Sequence, residues 1–254
     1  MTSIETPALD EDRDVVAEAA REAADVETLR PGQREAVEAV LARDTIAVLA
    51  TGTGKTAIYE TAGYLLDGPT LVISPTIALQ RDQVQALKEH GHPTASISSA
   101  RSERTRREAL ASFAAGRIEM LLLAPEQLGN SEVLDEIEKG RPSLVVVDEA
   151  HCVSEWGHSF RPDYLLIGAV VERLHHPRVL ALTATAAPRV RRDIAERLAM
   201  RDPAVIVGNA DRPEIWLGAR LFAGNRERDE ALVKAAAGQE GAVIVYAPTR
   251  RRCG

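Results

Sequence analysis

Aromatic side chains, cysteines and long apolar runs are all scarce in this sequence. Phe, Trp and Tyr make up 4% of the 254 residues, whereas hydrophobic types together make up 45%. A core must therefore consist mainly of small and branched aliphatic side chains, as in layered α/β folds. No apolar run is long enough to span a membrane, and the acidic N-terminus does not resemble a secretory signal. We therefore expect a soluble cytoplasmic protein, associated with the nucleoid if it is bacterial.

The cysteines and the net charge exclude further classes. Cys152 and Cys253 are far apart and lack the spacing of a zinc site or a disulfide framework. The formal net charge is −7, so the chain as a whole has no basic signature for nucleic acid. A local basic surface remains compatible with that total.

Residues 45–56, TIAVLATGTGKT, have the order strand, glycine-broken loop, helix start. In that context backbone N–H groups and the helix N-terminus form a phosphate site. Lys55 would reach the β- and γ-phosphates of ATP, and Thr56 would ligate Mg²⁺. Leu49 replaces the first glycine of the usual pattern, so a plain strand–turn–helix is the alternative. The expected phosphate-binding residues are Thr51, Gly52, Thr53, Gly54, Lys55 and Thr56.

A pair of carboxylates follows the apolar run at residues 144–147, in the string DEAH. Burying two adjacent carboxylates is costly, which disfavours a structural role. Asp148 is predicted to hold Mg²⁺ directly or through water. Glu149 is predicted to orient and deprotonate the attacking water, with Lys55 completing the catalytic set. A solvated turn is the alternative, and the phosphate loop upstream disfavours it.

Two other segments allow a binding and a structural interpretation. Residues 152–164 hold Trp156, Phe160 and Tyr164 around His158 and Arg161. Aromatic faces beside an arginine can stack bases, but the residues alone favour core packing.

Upstream of the phosphate loop, Gln33 could read an adenine edge, because an amide offers a donor and an acceptor. In isolation, a role at the start of a helix is favoured for Gln33.

Aliphatic runs alternate with helical patterns, which predicts an α/β fold: a parallel sheet with helices on both faces. The helix at 12–25 is expected to be exposed, with Val15, Val16 and Ala19 as a thin apolar face. We expect three parts: an acidic helical extension (1–27), an ATP-binding domain (28–208), and a linker with the start of a second unit (209–254). Predicted strands are 46–49, 70–73, 95–97, 118–123, 144–147, 179–182, 204–207 and 242–246.

Taken in order, ATGTGKT, DEAH, SEWGHSFRPDY and TAT resemble superfamily 2 helicases. The aromatic segment, with LRPGQ before it and DRPEI after it, is similar to the RecQ family of DNA helicases, from about Leu29 to Arg250. The resemblance implies a RecA-like P-loop NTPase domain and an ATP-dependent 3′-to-5′ DNA helicase in repair and recombination. It implies ATP and Mg²⁺ as cofactors and single-stranded or forked DNA as partner. Single-stranded DNA-binding and recombination proteins are further expected partners.

The resemblance also implies roles for single residues. Arg30 and Gln33 would contact adenine. Segments 74–76, 80–83 and 124–126 resemble strand-contacting segments, and 245–250 resembles the first motif of a second RecA-like domain. Residues implied to couple DNA binding to hydrolysis are His151, Trp156, His158, Phe160, Arg161, Thr183 and Thr185.

Several departures from the family pattern bear on activity. Val26 replaces an aromatic that would stack on adenine, Glu155 replaces a neutral amide, and Trp216 replaces a basic residue. The family's arginine fingers, zinc cluster and winged helix have no counterpart in this sequence. Loss of an arginine finger lowers phosphoryl transfer about 10³–10⁵-fold, so we expect the isolated chain to be poorly active. A non-catalytic, nucleotide-gated DNA-binding module and an ATPase acting on duplex or RNA are the alternatives.

Overall fold

The computed structural model describes residues 14–75, 77–99, 101–156, 160–209, 215–216 and 218–247, with the side chains of 77–79 outside that set. The chain divides into two compact units, residues 1–210 and 211–254. Among the described residues, no helix is long and apolar enough to cross a membrane.

The first unit is built on one sheet, in which every described strand pairing is parallel. The strand order is β3-β4-β2-β5-β6-β1-β7. Short runs rich in Val, Leu and Ile form these strands because both faces of the sheet are covered. The strands are β1 (Thr45–Val48), β2 (Thr70–Ile73), β3 (Thr94–Ile97), β4 (Met120–Leu123), β5 (Leu144–Val147), β6 (Arg178–Thr183) and β7 (Ala204–Val207).

Helices cover both faces, as the alternation predicted. Successive side chains along a strand face opposite sides of the sheet. One set packs against helices α5 to α8, and the other set packs against helices α1 to α4. The helices are α1 (Val15–Ala24), α2 (Gln33–Ala42), α3 (Thr56–Leu65), α4 (Ile77–Glu89), α5 (Glu103–Ala114), α6 (Ser131–Gly140), α7 (Ile167–Arg173) and α8 (Pro188–Arg197). The second unit contains α9 (Asn225–Ala237).

Local chemistry defines the starts of α6 and α8. The Asn130 carboxamide oxygen accepts from the backbone N–H groups of Glu132 and Val133, at 3.0 and 3.4 Å, and so caps α6. Pro188 stands in the first turn of α8, where no N–H donor is needed.

Two local predictions were wrong, one of them in part, and two elements were missed. Helix α1 forms within the predicted range, with Ala19 buried and Val16 packed against the core, but Val15 is 52% exposed. The helix is less exposed than predicted, because Ala20, Ala23 and Ala24 are buried as well. Small side chains allow α1 to lie close against α3. Residues 242–246 form no strand, because a strand needs a neighbour with which to pair. The 3-10 turn Pro162–Leu166 and helix α7 were not predicted.

A buried aspartate joins three strands at the amino end of the sheet. Asp44 Oδ1 accepts from the Val179 N–H at 2.9 Å, and Oδ2 accepts from the Arg201 N–H at 2.7 Å. The Asp44 carbonyl accepts from the Ala204 N–H at 2.8 Å. These bonds hold β6 and β7 beside β1, so the carboxyl ends of the three strands stay in register.

Candidate nucleotide-binding site and aromatic loop

The predicted nucleotide residues follow strands that are neighbours in the sheet. The phosphate loop follows β1, the threonine segment Thr183–Thr185 ends β6, and Asp148 follows β5. The order β5-β6-β1 places these three ends side by side at the carboxyl edge. Open α/β sheets bind ligands at this edge.

The phosphate loop has the backbone geometry that its glycines allow. Gly52 and Gly54 have φ values of 77° and 74°, in the left-handed region. The loop leads into the first turn of α3, and the positive end of the helix dipole there favours an anion. Lys55 Nζ lies inside the loop and donates to the carbonyl oxygens of Leu49 and Ala50, at 3.2 and 3.5 Å. The plain-turn alternative gives no reason for a lysine ammonium in that position.

Gln33 binds the phosphate loop itself. Its Nε2 donates to the carbonyl oxygens of Thr53 and Gly54 at 2.7 and 2.8 Å. Its Oε1 accepts from the Arg30 N–H at 2.7 Å, and the side chain is 3% exposed. The amide therefore ties the start of α2 to the loop, in agreement with a role at the helix start, and the contact with adenine stays a prediction. Arg30 is nearby, with Nη1 at 3.5 Å from the Gly52 carbonyl oxygen.

Asp148 and Glu149 lie in different environments although they are neighbours. Burial, and then the charge of Glu149, raises the pKa of the Asp148 carboxyl. The hydrogen bond with His151 lowers the pKa of Glu149. Glu149 has φ 48° and ψ 43°, a left-handed conformation that is costly for a side chain of this kind. The Tyr164 hydroxyl donates to the Asp148 carbonyl at 2.9 Å and supports this turn.

His151 connects the carboxylates to the threonine segment. Its Nδ1 lies 3.2 Å from Glu149 Oε2 and 3.0 Å from Thr183 Oγ1. Thr183 Oγ1 donates to the Thr185 carbonyl oxygen at 3.1 Å. Contacts with the Cys152 sulfur and with Glu149 raise the pKa of His151 to about 9. At neutral pH the imidazole is therefore charged and pairs with the Glu149 carboxylate.

A cavity of about 270 Å³ lies between the phosphate loop and the carboxylates. Gln83 Oε1, on one of its lining side chains, is buried without a hydrogen-bond partner, and the buried Tyr59 hydroxyl lies beside Thr56. Buried polar atoms of this kind suit a polar ligand. The cavity is lined by Gly52, Gly54, Lys55, Thr56, Tyr59, Gln83, Asp148, Glu149 and Leu182.

These residues fit a nucleotide with its metal ion. The ammonium of Lys55 and the N–H groups of the loop suit phosphate, and the oxygens of Thr56 and Asp148 suit Mg²⁺. Among the described residues, no group of three or more His, Cys, Asp and Glu side chains could hold a metal. Mg²⁺ prefers six oxygens, so phosphate oxygens and waters would have to complete its shell.

The aromatic segment (152–164) contains a loop with exposed rings and a buried residue, Tyr164. We call the described residues 154–156 and 160–161 the aromatic loop. Trp156 is 61% exposed and Phe160 36% exposed, so core packing, the interpretation favoured by the residues alone, is wrong for Trp156. Tyr164 is fully buried, and its inclusion in a base-stacking platform was wrong. Arg161 Nη1 donates to the Pro75 carbonyl at 2.9 Å and joins the loop to the end of β2. His158 lies outside the described residues.

Sequence reasoning did not place two side chains that line this cavity. Tyr59, one turn into α3, carried no signal beyond an apolar periodicity. Gln83 was assigned to a strand-contacting segment, and it also lines the cavity next to Asp148. Its place there depends on how α4 packs on the sheet.

Comparisons with known proteins agree with this geometry. The family model described as DEAD/DEAH box helicase matches residues 30–194. The probable ATP-dependent DNA helicase RecS of Bacillus subtilis is 38% identical over 225 residues, 88% of this chain and 45% of that protein. The ATP-dependent DNA helicase RecQ of Pasteurella multocida is 35% identical over 190 residues, 74% of this chain and 30% of that protein. The chain thus spans less than half the length of these relatives.

Solved structures support the fold alone. The helicase MrfA bound to DNA has a TM-score of 0.62 at 18% identity, covering 80% of this chain and 30% of that one. The Pyrococcus furiosus Hef helicase domain has a TM-score of 0.57 at 21% identity, covering 75% and 40%. The predicted RecA-like fold and the resemblance to RecQ helicases are confirmed. With its phosphate loop, its DEAH turn and these relatives, the chain belongs to the DEAD/DEAH box helicase family.

Proposed function

We propose that this chain is the ATP-hydrolysing motor unit of a RecQ-like DNA helicase. The observation that carries the proposal is the meeting of Lys55, Thr56, Asp148 and Glu149 around one cavity. The exposed aromatic loop starts a few residues after Glu149, so a DNA contact and the hydrolytic site share one short segment. The 3′-to-5′ direction rests on the similarity to RecQ helicases.

The phosphate loop would bind the triphosphate. Lys55 gives up its two long bonds to loop carbonyls when phosphate oxygens offer stronger, charge-assisted ones. Thr56 and Asp148 would hold Mg²⁺, which supplies charge stabilisation to the transferring phosphoryl group. The Gln33 amide keeps the loop in its anion-binding shape. Arg30 is placed at the rim, beside Gly52.

Glu149 is suited to act as the base. The hydrogen bond with His151 lowers its pKa, so the group is a carboxylate at neutral pH and can orient a water and accept its proton. The paired imidazolium of His151 holds the Glu149 carboxylate in place. Thr183 contacts the same imidazole, so a change at the threonine segment would alter the position of the base.

Single-stranded DNA is the proposed partner of the aromatic loop. Trp156 and Phe160 are exposed to solvent, and Arg161 directly follows Phe160 in the chain. Stacking of a base on an aromatic ring contributes about 1–3 kcal/mol and tolerates any sequence. Duplex DNA and RNA helices hide their bases, which makes them poorer ligands for such rings.

A single-turnover assay tests the proposal. Phosphate release from ATP and Mg²⁺ is measured with the full chain in excess, so that slow turnover is still detected. We expect release to be faster with oligo-dT than with duplex DNA or RNA. Glu149→Gln should retain ATP binding and lose release about 10²–10⁴-fold, the usual contribution of a general base. Equal release by Glu149→Gln and the wild type would refute the mechanism.

A further inference from the structure

Three consecutive residues of the aromatic loop contact α8. The Ser154 hydroxyl donates to Asp193 Oδ2 at 2.7 Å. Glu155 Oε1 lies 3.7 Å from Arg197 Nη2. The guanidinium carbon of Arg189 lies 3.4 Å from the centroid of the Trp156 ring. The loop is therefore bound to α8 by a hydrogen bond, an ion pair and a cation–π contact.

The three α8 partners lie on one face of the helix. Arg189, Asp193 and Arg197 follow one another at intervals of four residues, which places them on a single stripe. We call them the α8 stripe. The loop offers complementary groups: a hydroxyl for Asp193, a carboxylate for Arg197 and an aromatic ring for Arg189. The negative charge of Glu155, a departure from the family pattern, is thus matched within this chain.

Ser154 is the centre of this attachment. It is fully buried, and its hydroxyl oxygen also accepts from the Trp156 N–H at 3.2 Å. Asp193 therefore fixes the Ser154 side chain, and Ser154 fixes the backbone that carries the indole. The indole is 61% exposed, and Arg189 covers one of its two faces.

We propose that the α8 stripe is a positioning element that keeps Trp156 covered by Arg189 until a DNA base replaces the guanidinium. The inference rests on the proposed function, since it names what holds and releases the DNA-sensing ring. A base and a guanidinium both stack on an aromatic face, so they compete for the same surface. Releasing Arg189 leaves a cation near the incoming strand, where it is available for a phosphate.

Helix α8 is close in sequence to the threonine segment Thr183–Thr185. Helix α8 begins three residues after Thr185, and Thr183 contacts His151. The element that holds the ring is therefore joined by a short segment to the threonines beside the proposed base.

The contact between the Arg189 guanidinium and the Trp156 ring is tested without DNA. In a Trp216→Phe background Trp156 is the remaining tryptophan, and acrylamide quenching of its fluorescence reports its accessibility. Arg189→Ala should raise the quenching constant by up to about two-fold, because a covered face becomes open. Arg192→Ala removes the same charge from α8 outside the stripe and should leave the constant unchanged. Equal quenching constants for Arg189→Ala and the Trp216→Phe background would show that Arg189 does not cover the Trp156 ring.

The competition is tested with oligo-dT binding in a double-mutant cycle. The effect of Trp156→Leu on the Kd is measured with Arg189 present and with Arg189→Ala. We expect the loss to be about two- to five-fold larger in Arg189→Ala, the factor that corresponds to one exposed cation–π contact. An equal loss in both backgrounds would mean that bases use the other face, and would overturn the displacement.

The cycle also separates this inference from the proposed function. If no variant binds oligo-dT, the DNA-binding function fails and the displacement with it, while the quenching result still decides whether the cover exists. If oligo-dT binds and Trp156→Leu weakens it equally in both backgrounds, the proposed function stands and only the displacement is wrong. Arg192→Ala in the same cycle controls for the loss of one positive charge.

Discussion

At the residue scale, the side-chain amide of Gln33 is the main link between helix α2 and the phosphate loop. Both of its N–H groups donate to loop carbonyl oxygens, and its oxygen accepts from the Arg30 N–H. Because all three bonds are internal, the amide supports the loop for any nucleoside triphosphate. Adenine recognition by Gln33 would require one of these bonds to be exchanged.

Gln33→Ala should therefore weaken ATP and GTP binding by similar factors of about 30-fold, because two bonds to the loop of about 1 kcal/mol each are lost. The measurement is titration of fluorescent ATP and GTP analogues with Mg²⁺. Gln85→Ala, which removes the same amide from the exposed face of α4, should bind as the wild type does. Selective loss of ATP affinity would show instead that Gln33 reads the base.

A second prediction at this scale concerns His151. Its pKa of about 9 lies above the ordinary value of 6.5. A raised folded-state pKa means stabilisation that is complete below about pH 6.5 and is lost as the pH rises through about 9. In an NMR titration of the imidazole C–H signals, Glu149→Gln should lower the His151 pKa. An unchanged pKa in that variant would show that the Glu149 pair contributes nothing to it.

At the element scale, α7 and α8 pack closely because Gly168 has no side chain. A Cβ at that position would collide with the Arg197 carbonyl oxygen at the end of α8. Gly168→Ala should therefore destabilise the fold by about 1–3 kcal/mol, the usual cost of overpacking. Gly129→Ala, where a Cβ meets no atom within 4 Å, is the matched control. Urea denaturation that gives equal stabilities for the two variants would contradict this packing.

Elements formed by local rules could be predicted from the sequence, and those formed by tertiary contacts could not. Strands β2, β5 and β7 agree to the residue with the aliphatic runs, because a buried parallel strand is continuous in hydrophobicity. The turn Pro162–Leu166 and helix α7 were missed because their start follows the polar aromatic segment. The 242–246 run has the composition of a strand, but pairing decides whether one forms.

In the site, too, the residues set by local rules could be predicted and those set by tertiary contacts could not. Lys55, Thr56, Asp148 and Glu149 could be predicted because each follows a strand end, and strand ends meet at one edge of a parallel sheet. The burial of Tyr164 and the contacts of Gln83 depend on which helix covers which face. The α8 stripe has a visible four-residue spacing, but the sequence does not show that its partner is the loop at residues 154–156.

At the scale of the whole molecule, the sheet order brings three sequence-distant segments to one edge. Residues near 50, 148 and 183 are neighbours only because β5, β6 and β1 are adjacent. The Asp44 carboxylate holds β6 in register with β1 and its carbonyl holds β7. We propose that this edge binds Mg²⁺-ATP and that the adjoining loop senses DNA.

Equilibrium binding of a fluorescent ATP analogue with Mg²⁺, measured with and without oligo-dT, tests both parts of this proposal. We expect the wild type to bind, Lys55→Ala to lose at least about ten-fold in affinity from the missing charge-assisted contacts, and oligo-dT to change the affinity. Lys88→Ala, which removes the same charge from the end of α4, should bind as the wild type does. Equal affinities for Lys55→Ala and the wild type, unaffected by oligo-dT, would contradict the account.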